Sequence, residues 1–198
     1  MVVDELAPGL WRWTAPHPGW EANPEPEGPA DWPREVGCVY YEARDAVVLI
    51  DPLLPQERAR FLEALDRDVE RLGLPVAILL TVSWHERSAA ELVARYGAGR
   101  AAPDGVVELP IPSAEETAYW LSAHHTLVPG DALIGDGHGN VRLCPESWLP
   151  DGTTCSELRA ELDPLLDLPV ERILLSHGEP ALADGHSALA AALDVTPR

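Results

Sequence analysis

Four side chains with acid–base or metal-ligating chemistry stand where short apolar runs give way to turns. His85 and Glu86 follow the run 76–81, Asp131 follows 126–130, and His177 closes the run 172–176 and precedes Gly178. Imidazole and carboxylate groups hold divalent cations or move protons. A sheet presents such groups best at the carboxyl ends of its strands, where the backbone is rigid and the loops leave the atoms accessible. One histidine so placed is ordinarily a surface residue or a satisfied core residue. Several strand ends bearing His, Asp and Glu together point to a shared site. The competing chemistries lack their motifs: the sequence has no G-x-S-x-G elbow, no Walker A loop and no G-x-G-x-x-G after a strand. The segment Asp136-Gly137-His138-Gly139-Asn140 begins like a calcium loop, but position 147 is Ser where that loop needs Glu, so it reads as a glycine-rich turn.

The elements that must position these groups alternate between two periods. Residues 9–15, 36–42 and 46–51 are strand-like, and the last two are joined by a short hairpin-like connection. Residues 56–72 set Phe61, Leu62, Leu65, Val69 and Leu72 at helical spacing, 76–81 is a buried strand, and 88–96 is a helix stopped by Gly97. The second half follows the same grammar. Strands are expected over 106–111, 117–122, 126–128, 132–134 and 141–144, then a helix over 156–168 capped by Thr154 or Ser156, a strand over 172–176 and a last helix over 183–193. Clustered strands with interspersed helices predict an α/β sandwich with mixed sheets rather than a doubly wound parallel sheet. Residues 16–33 carry too many prolines for a regular element and form a long loop with Trp20 and Trp32. The whole chain, 1–198, reads as a single domain.

In order and spacing these pieces resemble the metallo-β-lactamase superfamily. The matching segments are Val48-Leu49-Ile50-Asp51-Pro52, Ile78-Leu79-Leu80-Thr81, Val128-Pro129-Gly130-Asp131 and Leu174-Leu175-Ser176-His177-Gly178. The resemblance implies a four-layer αββα sandwich of two mixed β-sheets flanked by helices, with a metal site at the sheet edges. The sequence departs from the family where the metal should bind. Against the family's HxHxDH motif, Val82 and Trp84 fall on the first two histidines, Glu86 on the aspartate and Arg87 on the last histidine. The family's histidine turn between these landmarks has no match; the nearest segment is 112–117, which contains Glu116.

The resemblance therefore implies a hydrolase with a degenerate, at most mononuclear, metal site. Glu86, Asp131 and His177 are its expected ligands, with His85 or Glu116 available if the loop register slips. Mixed N/O ligation suits Zn²⁺, Fe²⁺ or Mn²⁺. Asp131 and His177 are the expected catalytic pair, Asp131 orienting the attacking water. The opposing reading is metal-free, and the sequence favours it. A guanidinium has no lone pair for a cation, and Arg87 could instead pair with Asp131 or Glu86 and replace the lost charge. The chain would then be a pseudoenzyme binding a small molecule through Trp84, His85, Arg87 and Glu116, with the Trp84 ring filling space left by missing histidines. A third possibility is a self-associating scaffold, as a homodimer.

Composition bounds the partners. The basic residues are 14 arginines against 33 Asp and Glu, a formal charge of −19. That balance disfavours nucleic acid, anionic membrane surfaces and long polyanionic substrates; the partner expected from the pocket reading is a small-molecule ligand or substrate. Met1–Glu5 has neither a basic nor an apolar leader pattern, and Cys38, Cys144 and Cys155 fit no disulfide framework or metal pair. The expectation is a cytoplasmic protein with reduced thiols.

Overall fold

Alternation of apolar side chains on both faces of the same strands dictates the layering. In β4 (Val47–Ile50), Val47 and Leu49 pack outward against helices, while Val48 and Ile50 pack inward against a second sheet. In β7 (Glu116–Leu121), Ala118 and Trp120 face an outer layer and Tyr119 and Leu121 face inward. A strand buried on both faces must lie between two other layers. The computed structural model describes residues 2–22 and 25–194. Residues 23–24 of the proline-rich stretch, and the ends of the 1–198 span, lie outside the described residues.

The first sheet runs β1 (Val3–Ala7), β2 (Leu10–Pro16), β3 (Glu35–Glu42), β4, β5 (Val76–Leu79) in spatial order. Its pairs are antiparallel except for the parallel pair β4–β5, whose crossover is α1 (Arg58–Leu72). Helix α2 (Ala89–Tyr96) also packs on its outer face through Ala89 and Leu92. The second sheet runs β11 (Arg172–Ile173), β8 (Thr126–Val128), β7, β6 (Val106–Ile111), with β11–β8 parallel. A separate hairpin pairs β9 (Leu133–Gly135) with β10 (Val141–Leu143). Helices α3 (Cys155–Leu162) and α4 (Gly185–Ala192) cover this half through Leu158, Leu162 and Leu189. Leu10, Val39, Ile50 and Leu79 meet Tyr119, Leu121, Val128 and Leu174 between the sheets. The result is the four-layer αββα sandwich of two mixed sheets.

Local differences from the sequence reading have local causes. Strand β1 was not expected: Asp4 and Glu5 interrupt its apolar residues, and it is an exposed sheet edge that only pairing with β2 defines. Helix α3 ends at Leu162 and continues as a 3₁₀ turn, Asp163–Asp167, because Pro164 cannot supply an α-helical N–H. Its start is a capping box: Thr154 Oγ1 accepts from Glu157 N, and Glu157 accepts from Thr154 N. Strand β11 stops at Ile173, and the residues up to His177 leave the ladder toward the first sheet, where Val36 bridges His177. No helix among the described residues is long and apolar enough to cross a membrane.

Candidate metal centre

The chain leaves β5 through Thr81 and tightens at once into a 3₁₀ turn, Ser83–Glu86, with His85 N donating to Val82 O at 3.1 Å. In extended chain, 82, 84 and 86 would share a face. The three-residue period instead turns Val82 and His85 inward, and both are buried. Trp84 is 53% exposed, so its ring does not fill the space of a missing ligand. The Glu86 carboxylate turns away and pairs with Arg100 at 2.9 Å, at the surface. His85 thus occupies the place expected for Glu86.

Asp131 arrives on the Gly130–Ala132 segment. Glu116 fixes that segment from beneath, its two carboxylate oxygens accepting from Gly130 N at 2.7 Å and Ala132 N at 2.8 Å. Glu116 is therefore a buried support and not the pocket-lining residue expected. Burial pushes its carboxyl up to about 7 against those two N–H groups. His177 is held between the sheets. Gly37 N donates to Ser176 O at 2.7 Å and Gly135 N to His177 O at 2.9 Å. Arg12 Nη2 donates to Leu175 O and Gly178 O, both at 3.1 Å. Gly178 sits at φ 90°, and a Cβ there would lie 2.7 Å from Gly135 Cα, so no other residue fits this turn unshifted.

These supports converge three donors. Asp131 Oδ1 lies 3.2 Å from His85 Nε2 and 3.2 Å from His177 Nε2, and the three ligand atoms all lie within 4.8 Å of one another. The other edge of His85 is fixed: Nδ1 lies 2.9 Å from Asp51 Oδ2 and 3.1 Å from Thr81 Oγ1. Asp51 is itself held by Thr81, which donates from N to Oδ1 at 2.9 Å and from Oγ1 to Oδ2 at 2.5 Å. A carboxylate on Nδ1 sets the tautomer and aims Nε2, the arrangement common behind histidine ligands. Trp84 Nε1 donates to Asp131 Oδ2 at 2.8 Å, which leaves Oδ1 facing the two imidazoles.

Burial opposes charge on all three groups, and the outcomes differ. For His85 the Asp51 and Asp131 carboxylates outweigh burial and raise its pKa to about 9. For His177 burial prevails over its attraction to Asp131, and its pKa falls, favouring the neutral ring. Asp131 is held well below the ordinary carboxylate range because the two imidazoles outweigh its burial. Asp131 Oδ1 and His177 Nδ1 are nonetheless buried without an aligned hydrogen-bond partner. A buried carboxylate oxygen left so, between two imidazole nitrogens, fits a cation better than a hydrogen-bond network.

Arg87 makes neither of its expected pairs. Its Nη1 donates to Gly37 O at 3.2 Å and Asp51 O at 3.0 Å, and its Nη2 to Ser176 Oγ at 2.8 Å. It ties both sheets together and lines the cavity wall. That cavity, about 360 Å³, has Trp32, Trp84, Trp148 and His17 around the His85–Asp131–His177 floor. The rings of Trp32 and Trp148 lie 5.4 and 5.6 Å from His177. The proline-rich stretch is braced internally by Trp20 Nε1, which donates to Trp32 O at 3.0 Å, and is tied to the body by Trp148 Nε1, which donates to Gly28 O at 2.9 Å.

Of the residues selected from sequence, His85, Asp131 and His177 come together with Trp84 and Arg87 at the wall, whereas Glu86 and Glu116 lie outside the cavity. Asp51 was missed as a functional group, although it ends a strand as Asp131 and His177 do, and the same rule would have selected it. Trp148 carried no local signal.

No protein-family model matches the chain, and no curated protein does. Solved structures do. A metallo-β-lactamase from Erythrobacter litoralis aligns with a TM-score of 0.60 at 13% identity, over 98% of this chain and 90% of that one. A metallo-β-lactamase family protein from Thermus thermophilus aligns at 0.54 and 19% identity, over 96% and 80%. A metallo-β-lactamase from Hirschia baltica aligns at 0.54 and 14%, over 97% of each chain.

Proposed function

With the metallo-β-lactamase fold as premise, we propose that this chain is a metal-dependent hydrolase with one metal site, held by His85 Nε2, Asp131 Oδ1 and His177 Nε2. The observation that carries this reading is the buried Asp131 Oδ1, 3.2 Å from both imidazole nitrogens and without an aligned hydrogen bond. Two histidines and one carboxylate suit Zn²⁺, Fe²⁺ or Mn²⁺ and leave coordination positions open. A divalent ion bound there supplies Lewis acidity, polarising a carbonyl or phosphoryl oxygen and making water more acidic. The chain's own residues prepare the site. Asp51 keeps the His85 ring aimed, Trp84 holds Asp131 by its second oxygen, and Glu116 and Arg12 fix the backbone on either side. Trp32 and Trp148 pack their rings beside His177.

A specific observation favours a second, metal-free reading. A protonated His85 between Asp51 and Asp131 already brings one positive charge to the floor, and the cavity would then only bind a small molecule. Metal content decides between them. Protein purified without chelator is dialysed against zinc and assayed by elemental mass spectrometry. About one equivalent is expected, lost in Asp131→Ala and His177→Ala and kept in Glu86→Ala. Absence of metal after zinc dialysis overturns the hydrolase reading. A chromogenic lactam, a thioester and a phosphodiester then test for hydrolysis.

A further inference from the structure

A groove of different lining adjoins the cavity. Its volume is about 590 Å³, and it shares His17 and Arg87 with the tryptophan-walled cavity. It is lined by Arg34, Arg58 and Arg87, and among the described residues no Asp or Glu lines it. In a chain with 33 acidic residues and 14 arginines, three cations along one groove without a lining carboxylate are an exception to the surrounding field. Arg58 is paired with Glu91, which does not line the groove. Among the described residues Arg87 is bonded to two backbone carbonyls and a hydroxyl, none of which carries a charge, and its Nε is buried without a partner. Arg34 is exposed and enters no ion pair among the described residues.

We infer that the ligand of this site is a small amphipathic oxyanion: a flat apolar or aromatic portion lies among Trp32, Trp84 and Trp148, and a carboxylate or phosphate group reaches past His17 and Arg87 into the groove beside Arg34. The inference rests on the cavity floor being the reacting centre, as proposed above, and adds the class of molecule presented to it. Each half follows from its wall. Indole faces and edges favour a flat ring beyond the area it buries. Guanidinium forks favour oxyanions over neutral polar groups. The high overall negative charge limits the ligand to a compact anion, since an extended polyanion would leave the groove and meet the acidic surface.

The test uses tryptophan fluorescence of the full chain at low ionic strength, with benzoate, phenyl phosphate and uncharged benzamide as probes. Both anions are expected to bind more tightly than benzamide. Arg34→Ala is expected to weaken both anions about fivefold, the size of one partly exposed charge-assisted contact. Arg34→Glu is expected to weaken them further, with benzamide unchanged in both variants. Added salt should narrow the gap between the anions and benzamide. Equal affinities for all three probes overturn the inference, as do anion affinities that ignore Arg34→Glu, or no anion binding at low millimolar concentration. Zinc content measured on the same samples separates the two readings. Zinc bound without anion preference removes only this inference, and an Arg34-dependent anion preference without zinc removes only the metal site.

Discussion

Replacing Glu116 by Gln isolates the cost of keeping a carboxyl group beneath the His85–Asp131–His177 cluster. Its two oxygens accept from Gly130 N and Ala132 N at 2.7 and 2.8 Å, bonds that favour the ionised form, yet burial outweighs them and lifts the pKa from an ordinary 4.5 to about 7. Below pH 4.5 the group is protonated in both folded and unfolded chains. Between 4.5 and 7 only the folded chain keeps the proton, so the unfolded chain binds fewer protons and stability falls as pH rises. Across that window the loss amounts to roughly 3 kcal/mol, at 1.36 kcal/mol per pH unit. Gln cannot ionise, so this slope disappears, although its amide faces one of the two backbone N–H groups and costs about 1–3 kcal/mol at every pH. Urea unfolding of both proteins, with chelator present and tryptophan fluorescence as the signal, gives the difference directly, because all other carboxyls are common to both and cancel. Wild type is expected to be the more stable by its widest margin near pH 4.5, the margin shrinking by roughly 3 kcal/mol toward pH 7. A margin constant to within about 0.5 kcal/mol over that range would refute the reasoning that burial dominates at this position.

Asp51→Asn keeps the shape behind His85 but removes its charge; zinc affinity is expected to drop roughly 10- to 100-fold by competition titration, while zinc stoichiometry at saturation stays unchanged. Gly178→Ala places a methyl 2.7 Å from Gly135 Cα at a φ of 90°; a thermal melt is expected to show a loss of about 2–4 kcal/mol, and an unchanged midpoint would show that the turn relaxes. Trp148→Phe removes the indole N–H that holds Gly28 O at 2.9 Å; tryptic cleavage after the exposed Arg34 is expected to quicken, while the far-ultraviolet circular dichroism stays the same.

The layered architecture was legible in the sequence because it follows from local rules. Apolar alternation marks strands, a 3.6-residue period marks helices α1 and α2, and Thr154 stands as one of two candidate caps of α3, the one the structure uses. Strand ends bearing Asp131 and His177 were legible for the same reason, since both follow short apolar runs. The choice between His85 and Glu86 was not. They are adjacent in sequence, and only a 3₁₀ turn after Thr81 decides that the imidazole faces the cavity and the carboxylate faces Arg100. Arg87 likewise has two carboxylates within sequence-level reach. The approach of the two sheets gives it instead the carbonyls of Gly37 and Asp51 and the hydroxyl of Ser176. Asp51, Trp32 and Trp148 reach the centre from segments far apart in the chain, so their roles exist only once the sandwich has closed. Periodicity is a property of neighbouring residues and can be read along a chain; a ligand set is a set of distances between remote ones, and tertiary packing alone fixes those.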